Sequence, residues 1–119
     1  MVHPRDVGEA AAAALLDPGH AGRAHVLTGP EAVSYAEAAA RLGAILGKPV
    51  EYLDIPADAL RGALAAAGLP GWLVEGIVEI QAQARAGIGA TPTGGVEALT
   101  GHPPRDLDAF LRERAAAFA

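Results

Sequence analysis

The stretch that decides the fold is SYAEAAARLGAILGKP, residues 34–49. Ser34 and Glu37 have the S-x-x-E spacing of a capping box, in which each side chain bonds the backbone N–H of the other residue. Apolar residues then recur at the spacing of one helix face, at Tyr35, Ala38, Ala39, Leu42, Ile45 and Leu46. Glycine at position 47 and proline at position 49 end the pattern. The sequence therefore predicts an amphipathic helix that begins at Ser34.

The same kinds of signal predict further elements on both sides of this helix. The predicted helices are Val7–Leu16, Pro56–Ala67, Pro70–Ala86 and Asp106–Phe118, with a short helical turn at Val96–Leu99. In the first of them, Asp6 is the expected N-cap and Glu9 completes an approximate capping box. In the helix after Pro70, the predicted inward stripe is Leu73, Ile77, Ile80 and Ala84. The predicted strands are Arg23–Thr28 and Val50–Ile55.

These elements predict a single domain over residues 1–119, of α+β class and predominantly helical, with about five helical segments and two short strands. Two isolated short strands do not form a self-sufficient sheet. The core is thin, because 29 residues are alanine and only five are aromatic. The pattern indicates that part of the parent fold is missing.

Composition excludes several classes of function. The net charge is −5 and no cluster of lysine or arginine is present, which argues against nucleic-acid binding. No apolar run approaches the roughly 20 residues of a membrane span, and the chain start lacks a signal-peptide pattern. The chain has no cysteine and no paired histidine spacing, so we predict no metal site. A cytoplasmic location is compatible with these features.

Four local patterns, in order along the chain, resemble the NmrA-like family of atypical short-chain dehydrogenases. They are VHPRDVGEAA at 2–11, HAGR at 20–23 with VLTGPEAVS at 26–34, LGKPVEY at 46–52, and LTGHPPR at 99–105 before a helix containing Phe110. The resemblance covers essentially the whole chain. It implies the C-terminal, substrate-side part of a Rossmann-type α/β protein that lacks the dinucleotide-binding half.

The resemblance also implies NAD(P) as the cofactor of full-length relatives. Such proteins hold the pyrophosphate at a glycine-rich turn between a strand and a helix. The closest approach here is Gly87-Ile88-Gly89, which follows a predicted helix and has Pro92 where a third glycine is needed. We therefore predict no cofactor site in the isolated chain.

Candidate site residues follow from the same resemblance, and each has a structural alternative. His3 lies in the segment that meets cofactor and substrate in the relatives, where an imidazole could act as acid, base or hydrogen-bond partner; alternatively it anchors the turn before Asp6. Trp72, with Leu73, Ile77 and Ile80, would suit a flat apolar substrate. Alternatively, Trp72 completes the thin core or a dimer contact.

Three functions remain open from the sequence. The first is the substrate-binding part of an NAD(P)-dependent oxidoreductase without independent hydride transfer. The second is a non-catalytic module that binds small molecules or has a regulatory role. The third is a small cofactor-independent enzyme that reuses the apolar cleft. The expected partners are a cofactor-binding half, a second copy in a homodimer, or a small apolar ligand.

Overall fold

The computed structural model describes residues 1–118, and their regular structure is helical. The α-helices are α1 Pro4–Leu16, α2 Tyr35–Leu46, α3 Ala57–Ala66, α4 Gly71–Arg85, α5 Gly95–Thr100 and α6 Leu107–Arg114. Two 3₁₀ turns, Pro18–His20 and Ala115–Ala117, follow α1 and α6. Across residues 1–118, none of the helices combines the length and apolar character that crossing a membrane requires.

The predominantly helical class is confirmed, but the two predicted strands are wrong. Within residues 1–118, Arg23–Thr28 and Val50–Ile55 are irregular backbone and join no β-ladder. A strand is defined by the neighbour with which it exchanges N–H and C=O bonds. The described part of the chain supplies no such neighbour, so strand-like composition alone produces no sheet.

The chain divides into two compact units. Unit 1 comprises Met1–Glu51 and Thr91–Ala119, and unit 2 comprises Tyr52–Ala90. The prediction of one domain over residues 1–119 stays a prediction.

In unit 1, α1 packs against α5 and α2 packs against α6. The most buried apolar residues on these helices are small or branched: Ala10, Val96 and Leu111. Gly95 brings the start of α5 directly against the carbonyl oxygen of Val26, where a Cβ atom would clash. The thin core therefore depends on close backbone approach, as the alanine-rich composition predicts.

Helix α1 begins three residues earlier than predicted, at Pro4. His3 is its N-cap, and Nδ1 of His3 accepts a hydrogen bond from the backbone N–H of Arg5 at 3.2 Å. Proline suits the first helical position because it has no N–H to leave unbonded. Asp6, the predicted cap, lies inside the first turn and is fully buried, so the capping prediction for Asp6 and Glu9 is wrong.

Helix α2 forms as predicted. The capping box is complete: the Glu37 N–H donates to Ser34 Oγ at 3.2 Å, and the Ser34 N–H donates to Glu37 Oε2 at 2.8 Å. Gly47 ends the helix with a left-handed φ of 66°, which glycine adopts without strain. The stripe from Ala38 to Leu46 is half-buried.

In unit 2, α3 packs against α4. The buried residues of α4 are Val74 and Val78, not the predicted inward stripe. Leu73 and Ile77 are half-buried, while Ile80 and Ala84 are exposed. Val74 and Val78 are also four positions apart, so helical spacing alone could not decide which of the two sets of residues is buried. The apolar stripe on the neighbouring face therefore remains largely accessible.

Candidate functional site

His3 is 5% exposed and lies against Phe110 with the two rings edge to face, their centroids 5.7 Å apart. Since Nδ1 accepts the Arg5 N–H, the neutral ring carries its proton on Nε2. Nε2 has no hydrogen-bond partner within residues 1–118, and Glu113 Oε2 is 3.8 Å away. The capping contact fits the structural alternative for His3, and a catalytic role stays a prediction.

A cavity of about 200 Å³ adjoins this ring in unit 1. Most of its lining is apolar, including Val2, Pro4, Pro30, Val33, Leu107 and Phe110. His3 and Arg105 also line it. The cavity therefore has a mainly apolar wall to which the His3 and Arg105 side chains also belong.

A network of four charged or titratable residues lies beside the cavity; we call Asp6, Glu9, His102 and Arg105 the Asp6 network. The buried Asp6 carboxylate accepts from the Arg105 backbone N–H at 2.7 Å and from the Arg105 guanidinium. Arg105 also donates to Glu9 Oε1 at 2.9 Å. The network joins the first turns of α1 to the loop before α6, and a charge as deeply buried as Asp6 requires such pairing.

His102 completes the network. Its Nε2 lies 2.7 Å from Glu9 Oε2, and its Nδ1 lies 2.9 Å from the carbonyl oxygen of Pro103. Both neighbours are acceptors, so this arrangement favours the imidazolium form, in which both ring nitrogens donate. The Pro103 carbonyl and then Glu9 raise the pKa of His102. The hydrogen bond from Arg105, followed by that from His102, lowers the pKa of Glu9.

The Asp6 network does not fit a metal ion. Ligand-type atoms of Asp6, Glu9 and His102 lie within 4.8 Å of one another. However, Arg105 donates to both carboxylates, so a cation would have to displace the guanidinium. With His102 protonated, two carboxylates face two cations and the charge is balanced.

The turn at Gly87–Gly89 does not fit the pyrophosphate of a dinucleotide either. Gly87 and Gly89 have left-handed φ angles of 77° and 81°, but their turn follows helix α4 and not a strand. Pro92 has no N–H to offer a phosphate. This turn lacks the strand–turn–helix geometry that dinucleotide sites use.

The predicted substrate-contacting residues form one face of α4 in unit 2. Trp72 is 77% exposed and Ile80 is 63% exposed, while Leu73 and Ile77 are half-buried. We call these four residues the α4 apolar face. The structure brings them together on one helix, while His3 belongs to unit 1.

Comparison with known proteins identifies the class of protein. No family model matches the chain. The relatives and solved structures that the chain resembles include reductases, among them an NAD(P)H azoreductase and an NADPH-dependent quinone oxidoreductase, each matched over about two fifths of its length. The chain is therefore related to a portion of these reductases, and the predicted NmrA-like resemblance is confirmed.

Three of these proteins show the extent of the likeness. The chain is 39% identical over 99% of its length to a (4-alkanoyl-5-oxo-2,5-dihydrofuran-3-yl)methyl phosphate reductase of Streptomyces griseus, and covers 42% of it. It is 37% identical to an NAD(P)H azoreductase of Xenophilus azovorans, with 98% of the chain and 41% of the relative covered. An NADPH-dependent quinone oxidoreductase of Escherichia coli superposes with a TM-score of 0.78 at 27% identity, covering 96% of this chain and 40% of that one.

Sequence reasoning missed the Asp6 network. It treated Asp6 and Glu9 as capping residues and assigned no role to His102. The missed signal was Arg105, a lone arginine after two prolines and before a helix. Its partners lie 96 and 99 positions away, beyond the reach of any local pattern.

Proposed function

We propose that this chain forms the substrate-binding side of an NAD(P)H-dependent reductase and does not transfer hydride by itself. The observation that carries the proposal is the match of nearly the whole chain to about two fifths of reductases. The turn at Gly87–Gly89 lacks the geometry of a pyrophosphate site. Catalysis would then need a cofactor-binding portion as its partner, in the cytoplasm where NAD(P)H is available.

Within this proposal, the α4 apolar face contacts the substrate. Ligand sites are lined mainly by hydrophobic and aromatic side chains, and an exposed indole beside aliphatic side chains offers a flat apolar surface. No charged side chain belongs to the face itself. The substrate class is therefore a flat and predominantly apolar molecule, oriented by polar groups elsewhere.

The test is a chimera in which this chain replaces the matched 41% of the Xenophilus azovorans azoreductase. We expect the chimera to oxidise NADPH in the presence of an azo dye, and the isolated chain to give no binding heat with NADPH in calorimetry. Micromolar NADPH binding by the isolated chain would contradict the absence of a cofactor site. A folded chimera that binds NADPH but reduces no dye would contradict the substrate-side role.

The role of the α4 apolar face is tested in the same chimera. Trp72→Ala should raise KM for the dye by about tenfold with little change in kcat, because lost ground-state contact weakens binding uniformly. Leu53→Ala is the matched control, since Leu53 is an apolar residue of unit 2 that is 79% exposed and lies outside α4. Equal KM values for the two variants would remove the face from the substrate site.

A further inference from the structure

The outer side of helix α1 is apolar although it faces solvent. Val7, Gly8, Ala11, Ala12 and Leu15 recur at the spacing of one helix face, and all five are exposed. We call these residues the α1 outer face. Leu15 is 87% exposed, and no described atom lies within 4 Å of a Cβ built on Gly8. The face contains no charged or hydrogen-bonding side chain.

The polarity of α1 is the reverse of that expected for a surface helix. Its charged residues all bond other parts of unit 1: Arg5 pairs with Glu113 at 3.4 Å, and Asp6 and Glu9 pair with Arg105. A surface helix normally turns its apolar side to the core and its charged side to water. The α1 outer face is therefore suited to contact with another protein surface.

The size of this face favours a tethered partner over a second copy of the chain. Helix α1 has 13 residues, so one face of it is about 20 Å long and about 10 Å wide, or roughly 200 Å². A stable contact between separate chains needs about 800 Å² on each partner. A portion of the same polypeptide needs less, because tethering gives it a high effective concentration. The greater part of each relative lies outside the match, and it is large enough to cover the face.

We propose that the α1 outer face binds the cofactor-binding portion of the reductase. The inference rests on the proposed function, because that function supplies the partner. Gly8, Ala11 and Ala12 are small enough to let a partner's backbone approach closely, while Val7 and Leu15 contribute apolar area. Since the face holds no charge, covering it removes no charged group of this chain from water.

The experiment compares one substitution in two proteins, the isolated chain and the azoreductase chimera, with melting temperatures measured by circular dichroism. In the isolated chain, Leu15→Lys changes an exposed side chain, and lysine is favourable in the last turn of a helix. The melting temperature should therefore change by less than about 3 °C. In the chimera, the cofactor-binding portion would enclose the lysine, and the melting temperature should fall by about 5 °C or more.

Leu16→Lys is the matched control. Leu16 is the next residue, is 84% exposed, and lies about 100° further round the helix, on the side of Arg5 and Glu9. This substitution should leave the melting temperatures of both proteins nearly unchanged. A chimera whose melting temperature is unaffected by Leu15→Lys, or equal losses from the two substitutions, would overturn the proposal.

A second copy of the chain is the competing occupant. If the α1 outer face joined two copies, Leu15→Lys would lower the melting temperature of the isolated chain and reduce its mass in light scattering. That result would contradict the proposed partner.

The outcome is separable from the reductase proposal. A chimera that reduces the azo dye but is unaffected by Leu15→Lys would support the reductase role and contradict the contact. An inactive chimera that Leu15→Lys destabilises, while Leu16→Lys does not, would support the contact and contradict the reductase role.

Discussion

The Asp6 network and the segment Arg23–Thr28 both lie in unit 1, and they differ in how their polar groups are bonded. In the network, a buried carboxylate has two bonds from Arg105, and His102 uses both ring nitrogens. In the segment, no N–H group of residues 24–28 donates to a described backbone atom, and the Val26 side chain is 67% exposed.

The segment is nevertheless held at one end. Thr93 Oγ1 donates to the Val26 carbonyl at 2.6 Å, and the Thr93 N–H donates to Thr28 Oγ1 at 2.7 Å. These contacts fix its position without pairing its N–H groups. The difference teaches that the charged side chains of the network are bonded within unit 1, whereas the N–H groups of residues 24–28 have no backbone acceptor among the described residues.

The largest expected effect comes from the network. Asp6→Ala should lower the free energy of unfolding by about 3 kcal/mol, because it leaves the partly buried Arg105 without its closest partner. Chemical denaturation followed by circular dichroism measures the change. Tryptophan fluorescence is unsuitable, because Trp72, the single tryptophan, lies in unit 2 and Asp6 in unit 1.

Asp58→Ala is the matched control for that prediction. Asp58 also pairs with an arginine, Arg61 at 2.8 Å, but its side chain is 96% exposed. Exposed ion pairs contribute little to stability, so the control should unfold close to the unsubstituted chain. Similar losses of unfolding free energy in both variants would show that the buried Asp6 contributes no more to stability than the exposed Asp58.

A smaller effect concerns association. We propose that residues 24–28 or helix α2 form the contact of a homodimer at micromolar concentration, because unpaired edges invite pairing with a second copy and twofold closure is common. Val26→Asp should shift the protein toward monomer, with size exclusion coupled to light scattering as the measurement. A 12.0 kDa species for the unsubstituted chain at about 100 μM, where mass action favours association, would end the proposal.

Most of the helical fold could be predicted from sequence because its signals are local. The Ser34–Glu37 capping box, the glycine at 47 and the proline at 70 lie within a few residues of the helix ends they mark. The strand prediction at Arg23–Thr28 failed because a sheet depends on a distant partner. Asp6 was misread because acidic residues are common as caps, and the first position of α1 was not recognised as Pro4.

The candidate site was predictable only in part. The α4 apolar face follows from helical spacing, yet the sequence could not show that Val74 and Val78 are buried while Ile80 is exposed. Likewise, His3 was identified from the family resemblance, but its ring tautomer depends on a contact with Arg5 and its cavity on α6. These features depend on long-range packing, which local periodicity does not reveal.

The smallest expected effect is a pH dependence at His102. Its pKa is raised above the usual value of about 6.5 by the Pro103 carbonyl and Glu9. A group with a raised folded-state pKa contributes stability fully below its unfolded pKa and loses it as pH rises through the folded value.

His102→Gln removes the titrating charge and leaves the other histidines unchanged. The difference in melting temperature between the unsubstituted chain and this variant should be largest near pH 6 and shrink toward pH 8.5. Adding Glu9→Gln to both proteins should reduce the pH dependence of that difference but not abolish it, since the Pro103 carbonyl remains. A difference that stays constant with pH would show that folding leaves the pKa of His102 unchanged, and would contradict the contribution of its contacts with Pro103 and Glu9 to stability.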